Sequence, residues 1–173
     1  SIHGRRRGRG PPTQKWFWDI DKSGGIVVDL AIHDIDMVQW MLGEDTIESV
    51  YAIGSNNVYP EIKTWDTVVI TMRSKRGVLV TIEASWAEAD LNDQVGSNTG
   101  MIINGEDGKI VIDPSSTPSF KITELDGRES NYEELDQLPQ FVRQIDSFAQ
   151  SIITDVRVPI TLDEGIAALK IAR

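Results

Sequence analysis

The chain is 173 residues long, 40% hydrophobic, and carries a formal net charge of −10. That length suits one well-cored domain, and the acidic balance argues against a nucleic-acid binder. The absence of cysteine excludes disulfides and thiolate metal sites; no apolar run reaches the roughly 18 residues of a membrane span, and no signal peptide is visible.

The first 22 residues hold Arg5, Arg6, Arg7 and Arg9, then Pro11-Pro12, then Trp16-Phe17-Trp18. The arginines read as the end of an edge strand or an exposed loop, because the rest of the chain is so acidic. The prolines force an extended or turned path. The three rings either pack on the element that follows or line a cleft as a stacking wall for a sugar.

Residues 23–43 read as one helix, with Ser23 as its N-cap and Gly43 as its stop. On a helical wheel Val28, Ala31, Ile32, Ile35, Val38 and Leu42 make a wide apolar face, with Leu30, Met37 and Met41 beside it. Asp29, His33, Asp36 and Trp40 share the strip between. Asp29 and His33 are four apart and therefore neighbours. A carboxylate beside an imidazole is an acid/base unit that can take a proton from an alcohol and return it. Two other readings of the same residues stand: a self-satisfied pair that only solvates the helix, and a metal site completed by Asp36. Acid/base use without a metal is the simpler.

Strand periodicity then takes over. Segments 47–57, 64–73 and 78–86 alternate, with 74–77 as a hairpin turn. Residues 87–98 form a polar loop, either a solvated connection or a place for substrate contacts. Segments 99–104 and 109–113 make a second hairpin around 105–108; residues 113–118 are a turn-rich break, and 120–124 a further strand. Leu138, Phe141, Val142, Ile145, Phe148, Ala149 and Ile152 mark one face of an amphipathic helix. Thr161 and Glu164 form a capping box for the last helix. The order predicts an α+β fold: a largely antiparallel open sheet of about six strands, with helices on one face. The other face of so apolar a sheet calls for a second subunit, so a homo-oligomer through the sheet is expected.

No Gly-x-Gly-x-x-Gly follows a strand, and neither a phosphate loop nor a Gly-x-Ser-x-Gly elbow occurs. The run Gly24-Gly25-Ile26-Val27-Val28-Asp29 … His33-Asp34-Ile35-Asp36 … Trp40 … Leu42-Gly43 resembles the C-terminal domain of the glucose–fructose oxidoreductase, inositol dehydrogenase and MocA family. So do Thr81-Ile82-Glu83-Ala84-Ser85-Trp86, the hairpin from Ile103 to Ile110, and the closing stretch with Phe141, Phe148 and Pro159-Ile160-Thr161-Leu162-Asp163-Glu164-Gly165. The resemblance covers nearly the whole chain. It implies that residues 1–173 are the substrate-binding and dimerisation half of a longer enzyme. A Rossmann domain outside this chain would bind NAD or NADP and carry the catalytic lysine; this chain alone would bind no cofactor and be inactive.

The implied reaction is reversible hydride transfer from a sugar or cyclitol carbinol. Asp29 and His33 match the family's catalytic Asp and His: His33 would take the hydroxyl proton, and Asp29 would bind a substrate hydroxyl. Asp36 is expected to be structural. Arg9, Trp16 and Trp18 are substrate-binding candidates by position alone. The expected partners are a small sugar or cyclitol, the protein's own Rossmann domain and a second copy, with no nucleic acid or membrane, in the cytoplasm. The alternatives are a non-catalytic binding or oligomerisation domain, or a metal-dependent sugar isomerase or lyase domain.

Overall fold

The structure, a computed structural model, describes residues 1–8, 10–43, 45–87, 99–116, 118–132 and 139–173. Among them, eight strands form one sheet in the order β2-β3-β4-β1-β5-β6-β7-β8. The strands are β1 (Ile2–Arg7), β2 (Ile47–Ser55), β3 (Thr67–Ser74), β4 (Leu79–Ser85), β5 (Thr99–Asn104), β6 (Gly108–Ile112), β7 (Phe120–Glu124) and β8 (Glu129–Tyr132). All neighbours are antiparallel except β1 and β4, which run parallel. The fold is therefore the expected α+β open sheet, with two more strands than the sequence suggested.

One extra strand is β8, short and polar at the sheet's edge. The other is β1, and its place corrects the sequence reading: the arginine run is no edge or loop but the middle of the sheet. Alternation explains how a central strand tolerates it. Ile2, Gly4 and Arg6 face the helices; His3, Arg5 and Arg7 face the open side. Arg6 reaches Asp34 through two hydrogen bonds, Nε–Oδ2 at 2.7 Å and Nη2–Oδ1 at 3.1 Å. Arg7 pairs in the same fork geometry with Glu83 of β4, at 2.9 and 3.0 Å. Each buried or half-buried guanidinium thus meets a carboxylate, as it must.

The helical layer begins with a 3₁₀ turn (Lys15–Trp18) and a short helix, α1 (Ile20–Ser23). The long helix does not start at Ser23. Ser23 closes α1, with its hydroxyl donating to the Phe17 and Asp19 carbonyls and accepting from the Gly25 N–H. Gly24 and Gly25 both take positive φ, at 78° and 69°, which reverses the chain between the two helices. A Cβ on Gly25 would also run into the Thr64 side chain. From there the helix runs as a π turn (Val27–Ala31) and then as α2 (Ile32–Leu42). Gly43 ends it at φ 59°, its N–H on the Gln39 carbonyl.

Ile26, Ala31, Ile35 and Val38 pack against Val68, Ile70, Met72, Val80, Ile82 and Ala84 of the sheet, and Ala168 of α4 (Leu162–Ala172) joins them. Gly4 sits in a tight part of the core: a Cβ there would come 3.3 Å from the end of the Met101 side chain. The predicted capping box of α4 is present in full. α3 (Gln140–Thr154) forms as predicted, but Phe141, Ile145, Phe148 and Ile152 on its apolar face are exposed. Leu138, the first residue assigned to that face, lies outside the described residues, as do residues 88–98 of the polar loop. Among the described residues no helix is long and apolar enough to cross a membrane.

The two ionic forks differ in burial and so in weight. The Asp34 side chain is 4% exposed, whereas that of Glu83 is 34% exposed. Asp34→Ala strands Arg6 under the helix and is expected to cost about 3–5 kcal/mol, against about 0–1 kcal/mol for Glu83→Ala. Urea denaturation of the two variants checks this; equal costs would contradict it.

Candidate active site

Asp29 sits in the middle of the π turn, and His33 lies one turn on, in the first turn of α2. The turn is opened by the Gly24-Gly25 reversal on one side and clamped to the sheet by Ile26 and Ala31, both fully buried. The two side chains are therefore carried by a helix whose position is fixed from below. His33 is exposed and Asp29 half-buried. Burial is the largest influence on Asp29 and pushes its carboxyl above the ordinary value of 3.8. The nearby His33 ring and the Trp86 indole work the other way. Asp29 is thus a carboxylate whose charged form burial disfavours, with an exposed imidazole nearby.

The rest of the polar strip behaves differently. Trp40 is 81% exposed on the outer face of α2, and Asp36 is half-buried. Among the described residues no three His, Asp or Glu side chains converge as a metal cage. Asp29, His33 and Asp36 lie as a strip along one helix.

Trp16 is half-exposed and stacked on Phe17, with ring centroids 3.8 Å apart. Trp18 packs against the core, and its indole N–H is spent on the Pro12 carbonyl at 2.8 Å. Arg9 lies outside the described residues. Two contributors to the site escaped the sequence reading. Asp34 points to the sheet from beside His33, and Trp86, buried just after β4, influences the Asp29 carboxyl. The signal for Asp34 was the acid directly after His33, on a helix that follows an arginine-rich strand; nothing local announces Trp86.

A pyrophosphate needs a glycine-rich turn between a parallel strand and a helix, and here the single parallel pair, β1 and β4, has two antiparallel strands and the helices between its members.

A family model described as the GFO/IDH/MocA C-terminal domain matches residues 1–111. The chain belongs to that family. Its relatives include a myo-inositol 2-dehydrogenase from Thermotoga maritima, 30% identical over 162 residues, which cover 86% of this chain and 47% of the relative. Among solved structures, the UDP-N-acetylglucosamine 3-dehydrogenase GnnA from Acidithiobacillus ferrooxidans superposes with a TM-score of 0.78 at 19% identity, over 99% of this chain and 50% of that one. An oxidoreductase from Agrobacterium radiobacter, solved with NAD+, L-tartaric acid and magnesium, gives a TM-score of 0.77 at 17% identity, over 99% of this chain and 52% of that one. The likeness to the solved structures is one of fold. The chain spans about half the length of the relatives it matches.

The electrostatics give a signed prediction. Burial disfavours the charged form of Asp29, so its contribution to stability falls as pH rises from the ordinary carboxylate pKa through the raised one. Asp29→Asn, which removes the charge, should melt higher than the parent at neutral pH. The gap should close as pH falls below the ordinary value of 3.8. Thermal melts across that range check it; an Asn variant that melts lower at neutral pH would show the carboxylate to be net stabilising.

Proposed function

We propose that this chain is the substrate half of an NAD(P)-dependent dehydrogenase that oxidises a hydroxyl of a sugar or cyclitol. The observation that carries the reading is the coupled pair on one helix: a half-buried Asp29 beside an exposed His33. The naming of relatives as inositol and sugar dehydrogenases supports it.

In this reading, His33 accepts the proton of the hydroxyl on the carbon being oxidised. An imidazole ring can take that proton and give it back in the reverse direction. Asp29 holds a neighbouring substrate hydroxyl and favours the protonated ring that forms. The nicotinamide, when bound by the other half of the protein, supplies the hydride acceptor. Trp16, exposed and stacked on Phe17, offers a wall for the apolar face of a sugar ring. Trp18 supports that wall from the core side, and Arg9 is kept as a contact for substrate oxygens. The enzyme is read as cytoplasmic. Tyr51, Ile53, Leu79 and Ile102 are exposed on the open face of the sheet, and a second copy is their proposed cover.

The test is turnover by the full-length protein, following nicotinamide reduction with NAD or NADP against inositols, hexoses and amino or acid sugars. His33→Ala should lower kcat by about 10²–10⁴-fold, the usual worth of a general base, with the unfolding midpoint unchanged. A variant that keeps its activity would rule out His33 as the base. A well-folded parent inactive with every pair would favour a binding or assembly domain of the same fold.

A further inference from the structure

Between β2 and β3 the chain makes a loop that is closed on itself. Its ends meet where the Asp66 N–H donates to the Ser55 carbonyl at 2.9 Å. Inside it, the buried Asp66 carboxylate takes the N–H groups of Val58 and Tyr59 at 2.7 and 3.1 Å. The Asn56 amide donates to the Ile62 carbonyl at 3.0 Å. The Lys63 N–H donates to the Trp18 carbonyl at 2.8 Å and ties the loop to the segment ahead of α1. A loop held at so many points carries its side chains in fixed positions.

Trp65 is the side chain this loop displays. Its ring lies flat on β2: a Cβ on Gly54 would fall against three contiguous carbons of the indole, Cγ, Cδ2 and Cε2. The bare glycine is thus what one face of the ring rests on. Gly54 pairs with Val68, whose side chain is fully buried, so Trp65 lies on the helix side of the sheet, the side of Asp29. The ring is nevertheless 42% exposed, and among the described residues nothing accepts its indole N–H. An open apolar face beside an unspent donor suits a pyranose, which offers C–H groups to the face and a hydroxyl to the N–H.

The preceding residue sets Trp65 against the site. The Thr64 side chain packs on Gly25 and fills the space that a Cβ there would take. Gly25 lies four residues before Asp29, about one helical turn or 5.4 Å along the axis. Thr64 therefore stands at the start of the turn that carries Asp29, with Trp65 beside it. From these observations we infer that Trp65 is a second sugar-ring platform, and that the substrate is a glycoside whose outer ring stacks there while the ring being oxidised lies at Asp29 and His33. The inference rests on the proposed function and narrows its substrate class.

The experiment uses the full-length protein with ¹⁵N-labelled tryptophan, titrated with cellobiose, maltose and lactose, and separately with glucose and myo-inositol. Trp65→Phe identifies the Trp65 indole resonance by its loss. A disaccharide should shift that resonance saturably, and the one-ring compounds should leave it in place. In turnover, Trp65→Ala should lower the preference for the disaccharide over a one-ring substrate by about tenfold in kcat/KM, the worth of a stacked ring, with the loss in KM. Gly54→Ala, which evicts the ring without removing it, should do the same. An indole resonance that no disaccharide moves would overturn the inference, as would an unchanged preference in both variants. If Trp65→Ala fails to fold, Gly54→Ala and the resonance of the parent still decide. A folded protein that turns over no sugar defeats the dehydrogenase reading alone, since the indole shift still decides whether Trp65 receives a ring.

Discussion

The bidentate bond between Arg6 and Asp34 is the constraint on which the arrangement turns. It ties the central strand to the first turn of α2, one residue from His33. Taking both charges out of water is costly, and only good geometry offsets that cost. The two parallel bonds of the guanidinium fork, at 2.7 and 3.1 Å, supply that geometry. A helix held at that point can rotate little about its axis, and the strip with Asp29 and His33 is presented in one orientation. The apolar packing of Ile26, Ala31, Ile35 and Val38 gives the layer its stability. The ionic fork gives it register.

The sheet and the site were legible to different degrees, for reasons visible in particular residues. Segments 64–73 and 78–86 alternate because β3 and β4 bury one face, as their burial patterns show. The hairpin turns and the Thr161–Glu164 capping box are local chemistry, and local chemistry is what a sequence states most plainly. β1 was misread because Gly4-Arg5-Arg6-Arg7 has no apolar alternation. Its acceptors, Asp34 and Glu83, lie 28 and 76 residues away, so the partners that make it a central strand are invisible locally. The polar β8 offered no pattern either. Ser23 reads as a helix start and does bond the Gly25 N–H, yet it belongs to the end of the preceding short helix. Only the paired positive φ values of Gly24 and Gly25 reveal the reversal.

The i,i+4 spacing found the Asp29–His33 pair, but a wheel of uniform pitch could not show the π turn beneath it. Nor could it show that burial outweighs the nearby imidazole in its effect on the Asp29 carboxyl. That balance has a thermodynamic consequence. A carboxylate pushed above its ordinary range by burial costs the fold something, and sites that place charge for chemistry accept such costs. Under the proposed function, the exposed His33, Trp40 and apolar face of α3 belong to the surface that the other half of the enzyme completes.

The most direct test of the account is a crystal structure of the full-length protein with nicotinamide dinucleotide and a polyol substrate bound. The account predicts a His33 ring nitrogen at about 2.6–3.2 Å from the hydroxyl on the carbon facing the nicotinamide, the hydrogen-bond reach of a general base. It also predicts Asp29 on an adjacent hydroxyl. A substrate bound with both side chains turned away from it, or His33 buried in a contact between subunits, would contradict it.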